Sequence, residues 1–406
     1  MMGDADLDLK LLRRLGRLED EEKELSEHKR AKLASQVDLP FMGRLLSQYT
    51  GTQSLADTQI YDILQVIERR LGISLKIAAP LIFGPRSAEY YKDLHTYGRT
   101  LQRILNPNEV LKFLDKERLV KTSYIMCRGP REDLYDPRFI LRLFLSMVQR
   151  GTELKCASFI AHGALQFVFA ALSLRDAELR SIAYVILQRF LSLTNELSMD
   201  DFPEQSLISY FLRLVKYGVK SPNQRLPSPI SRFLADSVVV LTHPTFPIFK
   251  PLMASFIQRP TVNLEMLSEF RKFFFSTSLA NHKMERKWIL NVCAMSIHEP
   301  GDYGLLEKSS IIESCLAAFT SPICNFEARK KILGILNSCL RHESCARDLF
   351  LRHNLFTWLA VVVRHPAMTK EDVLRIEKLR DMLRGHIHDW LEKSPNPIVR
   401  ALIKMK

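Results

Sequence analysis

Glycine is scarce in this chain, with 15 residues in 406. All-β barrels and Gly-rich nucleotide-binding sheets need turn glycine, so both classes are disfavoured. No GxxxxGK followed by Ser or Thr occurs, and no GxGxxG, so no loop is built to cradle a phosphate. The GxSxG elbow and the HExxH metal motif are absent too. No run of 18 apolar residues exists, so no membrane-spanning helix is expected. The stretch Met1 to Leu12 carries three Asp and no apolar centre, unlike a secretory leader. Seven cysteines are dispersed at Cys127, Cys156, Cys293, Cys315, Cys324, Cys339 and Cys345. That odd, unpatterned set reads as small buried hydrophobes in a reducing compartment, and cytosol and nucleus both fit.

The composition that remains is that of a folded, basic protein. Lys and Arg number 58 against 45 Asp and Glu, a formal charge of +13, and apolar residues make up 47%. Enough Leu, Ile, Val and Phe is present to bury a large core, so the chain as a whole is not disordered. Residues 4–32 hold 9 acids and 8 bases around a thin stripe of Leu11, Leu15, Leu18 and Leu25, the pattern of a solvated helix. The basic excess therefore lies in the remainder.

From Leu55 onward apolar residues recur at i, i+3, i+4 and i+7. The spacing predicts helices over Leu55–Arg70, Pro137–Arg150, Lys155–Leu172 and Asp176–Leu193. Further helices are expected to start near Glu204, Ser228, Phe246, Asn263, Met284, Lys308, Asn325 and Thr369. Asp136 before Pro137, Asp176, and Thr369 before Glu371 and Asp372 supply helix starts. Prolines and glycines between these segments supply the stops. Helix pairs every ~40 residues with Pro-punctuated loops match the texture of HEAT or armadillo arrays, in which stacked neighbours build the core together. The expected architecture is an all-α, HEAT/armadillo-like α-solenoid of stacked helix pairs, with a compact all-α domain as the alternative. Four stretches are expected: a charged helical arm over 1–40, a helical segment over 41–134, the solenoid over 135–395 and a basic tail over 396–406.

Chemistry-bearing sets are few. The pairs Asp200-Asp201 and Glu371-Asp372 lie where helices begin, so they read as compensating the helix dipole rather than as an acid–base couple. Cys339, His342, Cys345 and His353 have zinc-ligand identities without a CxxC knuckle, and Cys339 shares an apolar helix face with Leu336 and Leu340. No catalytic, cofactor or metal residue is assigned.

Basic clusters carry more information. No acid lies between Glu204 and Asp236, a stretch that contains Arg213, Lys216, Lys220, Arg225 and Arg232. A second group is Arg271, Lys272, Lys283, Arg286 and Lys287. A third is Arg99, Arg103, Lys112, Lys116, Arg118, Lys121, Arg128 and Arg131. Cationic stripes follow a phosphate backbone by releasing its counterions, and they serve equally as contacts for an acidic partner or as solvated helix faces. Without an RNP aromatic motif, a GXXG loop or a zinc finger, base-specific reading of RNA is not indicated. Within Phe273-Phe274-Phe275 at least one ring must leave the core face, and packing on the next repeat is favoured over base stacking.

An ordered series of segments resembles a known family. Tyr135-Asp136-Pro137-Arg138-Phe139-Ile140 is similar to a YDP-x-F signature, and Phe159 to Leu165, with Gly163, to an F-x-x-x-GAL stretch. Leu172-Ser173, Leu179–Tyr184, Leu267–Ser276, Lys283–Leu290 and Arg352–Leu359 follow in the family order. Together they resemble the C-terminal region of the nucleolar pre-ribosomal-associated protein 1 family, the unhealthy-ribosome-biogenesis family. The resemblance implies a large, non-enzymatic helical-repeat scaffold of the nucleolus acting in early assembly of the large (60S) ribosomal subunit. The partners it implies are pre-rRNA, snoRNP particles, a DEAD-box helicase and other pre-60S assembly factors, with no cofactor, membrane or small-molecule substrate. A protein-only HEAT-type adaptor that binds acidic helices is the alternative. Members of the family are several times longer than this chain. Asn354 stands where they often carry Gly, a position suited to the left-handed region that Asn also tolerates.

Overall fold

The computed structural model describes residues 11–12, 15, 27–73, 83–84, 107–149 and 151–393. Leu18, Leu25, Arg99, Arg103, Arg150 and the basic tail 396–406 lie outside them. Among the described residues the chain is helical, and the sole β element is an isolated bridge between Thr52 and Tyr135. The all-α expectation holds. The chain divides into two compact units, Met1–Ser209 and Tyr210–Lys406.

The first unit contains α1 (Glu27–Ala34), α2 (Leu39–Gln48), α3 (Leu55–Arg69), α4 (Pro107–Leu111), α5 (Lys116–Ile125), α6 (Pro137–Met147), α7 (Cys156–Ala161), α8 (Ala164–Ala171) and α9 (Ala177–Glu196). Helix α8 is buried on every side and packs on α5, α6, α7 and α9. Its residues are apolar except Gln166, the composition of a central helix rather than an amphipathic one. Phe144, Phe159, Phe167 and Phe190 interlock around it at centroid separations of 5.2–5.8 Å.

The Tyr135-Asp136-Pro137 motif is a structural knot. The Tyr135 hydroxyl accepts from the Asp115 N–H at 2.8 Å, and its own N–H donates to Thr122 Oγ1 at 3.1 Å. Asp136 caps α6 by accepting from the Arg138 N–H at 2.9 Å, with Pro137 in the first turn where no N–H is needed. Phe139 then meets Tyr49 and Phe83 edge-on at 4.7 and 5.1 Å. These residues join the 49–54 segment, α5 and α6.

The expected Lys155–Leu172 helix is broken at Gly163, which sits at φ +83° between α7 and α8. A Cβ there would come 3.0 Å from Val120 Cγ2, a tight approach, and the left-handed φ strains any other residue.

Helix α10 (Gln205–Gly218) is followed by α11 (Ser228–Leu241), α12 (Phe249–Ile257), α13 (Phe270–Phe274), α14 (His282–Ser296), α15 (Pro300–Lys308), α16 (Ile311–Ala318), α17 (Phe326–Cys339), α18 (Glu343–His353), α19 (Leu355–Val362) and α20 (Lys370–Lys393). In the second unit α11 packs on α14, α14 on α17 and α17 on α20. The last three begin about 44 residues apart, the repeat length of a HEAT-type array. A second set of shorter helices, α12, α13, α15 with α16, and α18 with α19, backs this row.

Polar bridges connect successive repeats. Asp302 accepts from the N–H groups of Ser228, His298 and Glu299 at 2.9, 2.9 and 3.2 Å, which ties the start of α15 to the start of α11. Arg329 reaches Asp372 at 3.2 Å between α17 and α20. Thr369 and Asp372 cap α20 reciprocally, as the sequence indicates. Asn354 takes φ +48° between α18 and α19, the left-handed conformation expected of it.

Two expected starts differ. No helix begins at Asn263, because its side chain closes a turn by accepting from the N–H groups of Glu265 and Met266 at 2.9 and 3.1 Å. The run near Lys308 is split by Ser310 at φ +53°, which ends α15 and starts α16.

Candidate nucleic-acid interface

The three basic groups separate once each cation is placed. In the first, Arg213 and Lys216 lie exposed on α10, while Lys220 and Arg225 follow in the loop. Lys220 pairs with Glu265 at 2.7 Å and holds that carboxyl below its ordinary range, chiefly through the hydrogen bond. Arg225 pairs with Glu299. Arg232 is a correction to the surface expectation: it is 3% exposed inside α11, where its Nε donates to Asp236 at 2.9 Å. A Pro-flanked helix with Ile230, Phe233, Leu234 and Val238 around it turns this arginine inward, and Asp236 one turn on neutralises it.

The second group keeps four exposed cations. Arg271, Lys272, Lys283 and Lys287 have no carboxylate within ion-pair distance among the described residues. Arg286 is the exception and a second correction. It is 4% exposed, and its guanidinium donates to the carbonyls of Phe274 at 2.8 Å and Ile323 at 2.7 Å. It therefore holds the end of α13 and the approach to α17 against α14.

In the third group Lys112 pairs with Glu109, and Lys121 and Arg131 share Asp133 at 2.5 and 3.4 Å. The Lys121 hydrogen bond pulls the Asp133 carboxyl below its usual range. Arg118 lies over the Tyr135 ring at 5.4 Å. Lys112, Lys121 and Arg131 are thus compensated locally.

The structure adds two residues that the sequence grouping omits. Lys330 and Lys331 lie on α17, and Lys331 reaches α14 across the α14–α17 contact. Lys331 Nζ donates to Asn291 Oδ1 of α14 at 2.7 Å. Partial burial lowers the pKa of Lys331; Glu327 opposes that shift, and the positive charges of Lys287 and Lys330 add to it. Lys287, Lys330 and Lys331 thus form one electrostatic cluster spanning two repeats, and Lys283 stands one helical turn before Lys287 on α14. Their signal in the sequence is the run Arg329-Lys330-Lys331, whose arginine is drawn aside to Asp372.

Nothing nucleophilic competes for attention. Six of the seven cysteines are buried and Cys127 is partly so. Burial pushes the Cys156 thiol up to about 12 and those of Cys293, Cys315 and Cys339 up as well, which leaves them as inert thiols. Cys339 and Cys345 face the core, and His353 Nε2 meets Glu307 at 2.8 Å. No group of three metal-ligating side chains occurs among the described residues.

The family model for nucleolar pre-ribosomal-associated protein 1 matches residues 165–358, a span that contains the α14–α17 cluster. The resemblance read from the sequence holds. Nucleolar pre-ribosomal-associated protein 1 of Mus musculus is 28% identical over 337 residues, covering 78% of this chain and 15% of that protein. Its Homo sapiens counterpart is 27% identical over 335 residues, covering 78% and 14%. The chain therefore spans about a seventh of the length of these curated relatives. No solved structure matches it.

Proposed function

We propose that this chain acts in ribosome biogenesis in the nucleolus, as a non-enzymatic helical scaffold that holds the phosphate backbone of pre-ribosomal RNA along its α14–α17 ridge. The reading rests on one observation, the cluster of Lys287, Lys330 and Lys331 across two adjacent repeats with Lys283 beside it. At Lys331, partial burial and the positive charges of Lys287 and Lys330 disfavour the ammonium form against the opposing Glu327. A polyanion offsets that cost and releases its own counterions on binding. The names of the relatives supply the setting. Early 60S assembly, pre-rRNA processing and contact with snoRNP particles and assembly factors, a DEAD-box helicase among them, follow from that resemblance. Lysines act here as point charges without planar recognition, so the contact is to backbone rather than to base edges.

The test is a salt titration of binding to pre-rRNA fragments. K287E/K330E/K331E is expected to flatten the dependence of log K on log salt by roughly 2, at about 0.7 per single-stranded phosphate contact. It is also expected to reduce co-sedimentation with pre-60S particles. An unchanged slope in this variant would remove the RNA reading and leave the protein-only adaptor.

A further inference from the structure

The segment from Phe270 to Met284 contains no acidic residue, although it is rich in both apolar and cationic ones. The two carboxylates that bracket it point inward. Glu269 is 3% exposed and takes Arg259 at 2.7 Å, and Glu285 is 4% exposed. Between them Phe270, Phe273 and Phe274 enter the core, whereas Phe275 does not: it leans on Phe274 at 4.8 Å and stays 44% exposed. The third ring of the triplet thus leaves the core face, as helical geometry demands.

Further apolar side chains of this segment and of the approach to α17 are exposed. Leu279, in the loop between α13 and α14, is 99% exposed, Met284 in the first turn of α14 is 44% exposed, and Ile323 is 39% exposed. Buried Arg286 fixes this arrangement, because one guanidinium binds the carbonyls of Phe274 and Ile323 together. The main chain at Phe274 and at Ile323 is therefore held together, although the two lie 49 positions apart in sequence. Arg271, Lys272 and Lys283 lie in the same segment, exposed and without a carboxylate partner among the described residues.

A single exposed leucine needs no explanation, but grouped apolar side chains with a charged rim mark a contact surface. The chemistry selects the occupant. RNA phosphates would satisfy the three cations and leave Leu279, Met284 and Ile323 in water. A polypeptide that carries carboxylates beside aliphatic or aromatic side chains satisfies both. We propose that the 275–281 loop, with Met284 and Ile323, is the docking surface for an acidic, hydrophobic peptide segment of a partner protein. This surface shares only Lys283 with the α14–α17 ridge, and Phe275, Leu279, Arg271 and Lys272 allow it to be tested separately from RNA binding.

The experiment uses the full chain and a fluorescein-labelled synthetic peptide with Leu and Phe at i, i+3, i+4 and i+7 and Glu or Asp elsewhere. Two controls are polyglutamate of the same length and the same peptide with Lys in place of every acid. Anisotropy titration is expected to show saturable binding of the acidic amphipathic peptide alone. F275S/L279S, two exposed positions, is expected to weaken it at least tenfold without moving the thermal midpoint. R271E/K272E is expected to weaken it likewise, while K287E/K330E/K331E retains it. Absence of saturable binding, equal binding by polyglutamate, or undiminished binding to F275S/L279S would overturn the proposal. Loss of RNA affinity rather than peptide affinity in F275S/L279S would overturn it too, by making the loop a nucleic-acid surface.

Discussion

The acid-free stretch that ends at Asp236 and the one that ends at Glu285 look alike in sequence, yet they differ in their free charge. Of the first, Lys220, Arg225 and Arg232 are each held by a carboxylate of the second unit. In the second, Arg271, Lys272 and Lys283 face solvent, as does Lys287 just past it, while Arg286 beyond Glu285 is locked onto backbone carbonyls. The α17 lysines then extend the second group onto the next repeat. Net charge along a stretch is therefore a poor measure of a binding face in a helical array. What counts is whether neighbouring repeats return acids to it.

The largest effect that would break this comparison is on stability. Arg232→Ala removes the guanidinium that neutralises buried Asp236, and is expected to lower the unfolding free energy by about 3–5 kcal/mol in a denaturant titration. RNA affinity per folded molecule is expected to stay unchanged. If the variant kept its stability and lost salt-dependent RNA binding, Arg232 would be a contact after all.

Next comes the contrast between paired reversals. K287E/K330E is expected to lose at least tenfold in RNA affinity at physiological salt, a difference of about 1.4 kcal/mol. K220E/R225E is expected to lose much less, because Glu265 and Glu299 already compensate those sites. Equal losses in the two variants would erase the distinction between the groups.

Smaller still is Lys220→Ala, which removes a solvated pair with Glu265 and should change stability by no more than about 1 kcal/mol. The smallest expected effect is at Lys331. Its pKa is lowered by partial burial and by Lys287 and Lys330, so the folded state binds fewer protons than the unfolded state between the two pKa values. Stability from this group therefore rises with pH through that alkaline window, up to the ordinary lysine pKa. Lys331→Met should accordingly raise stability near neutral pH by a few tenths of a kcal/mol, allowing for solvent screening, while it weakens RNA binding. A drop in stability would show that its hydrogen bond to Asn291 outweighs the repulsion.

Much of the fold was legible because helices are local objects. Asp136, Asp176 and Thr369 cap the helices they precede, since a cap needs only the N–H groups two or three residues on. Asn354 adopts the left-handed conformation its side chain tolerates. The break at Gly163 is hidden in the sequence, because the apolar period runs through it and Val120, which crowds a side chain there, comes from another helix. The pairing of Arg232 was within reach, since Asp236 lies one turn away, but counting charges without assigning helix faces hides it. Arg286 offered no such signal, for its partners are main-chain carbonyls 12 and 37 positions away.

By itself, then, the sequence determined the all-α class, most of the helix starts and the family resemblance, all of which depend on residues a few positions apart or on ordered short motifs. Only the tertiary structure decided which cations remain available to a ligand. The acids that hold Lys220 and Arg225 lie 45 and 74 positions away, and stacking of repeats alone brings them into range. The same stacking brings Lys331 within electrostatic reach of Lys287, and the main chain at Phe274 and Ile323 onto one guanidinium.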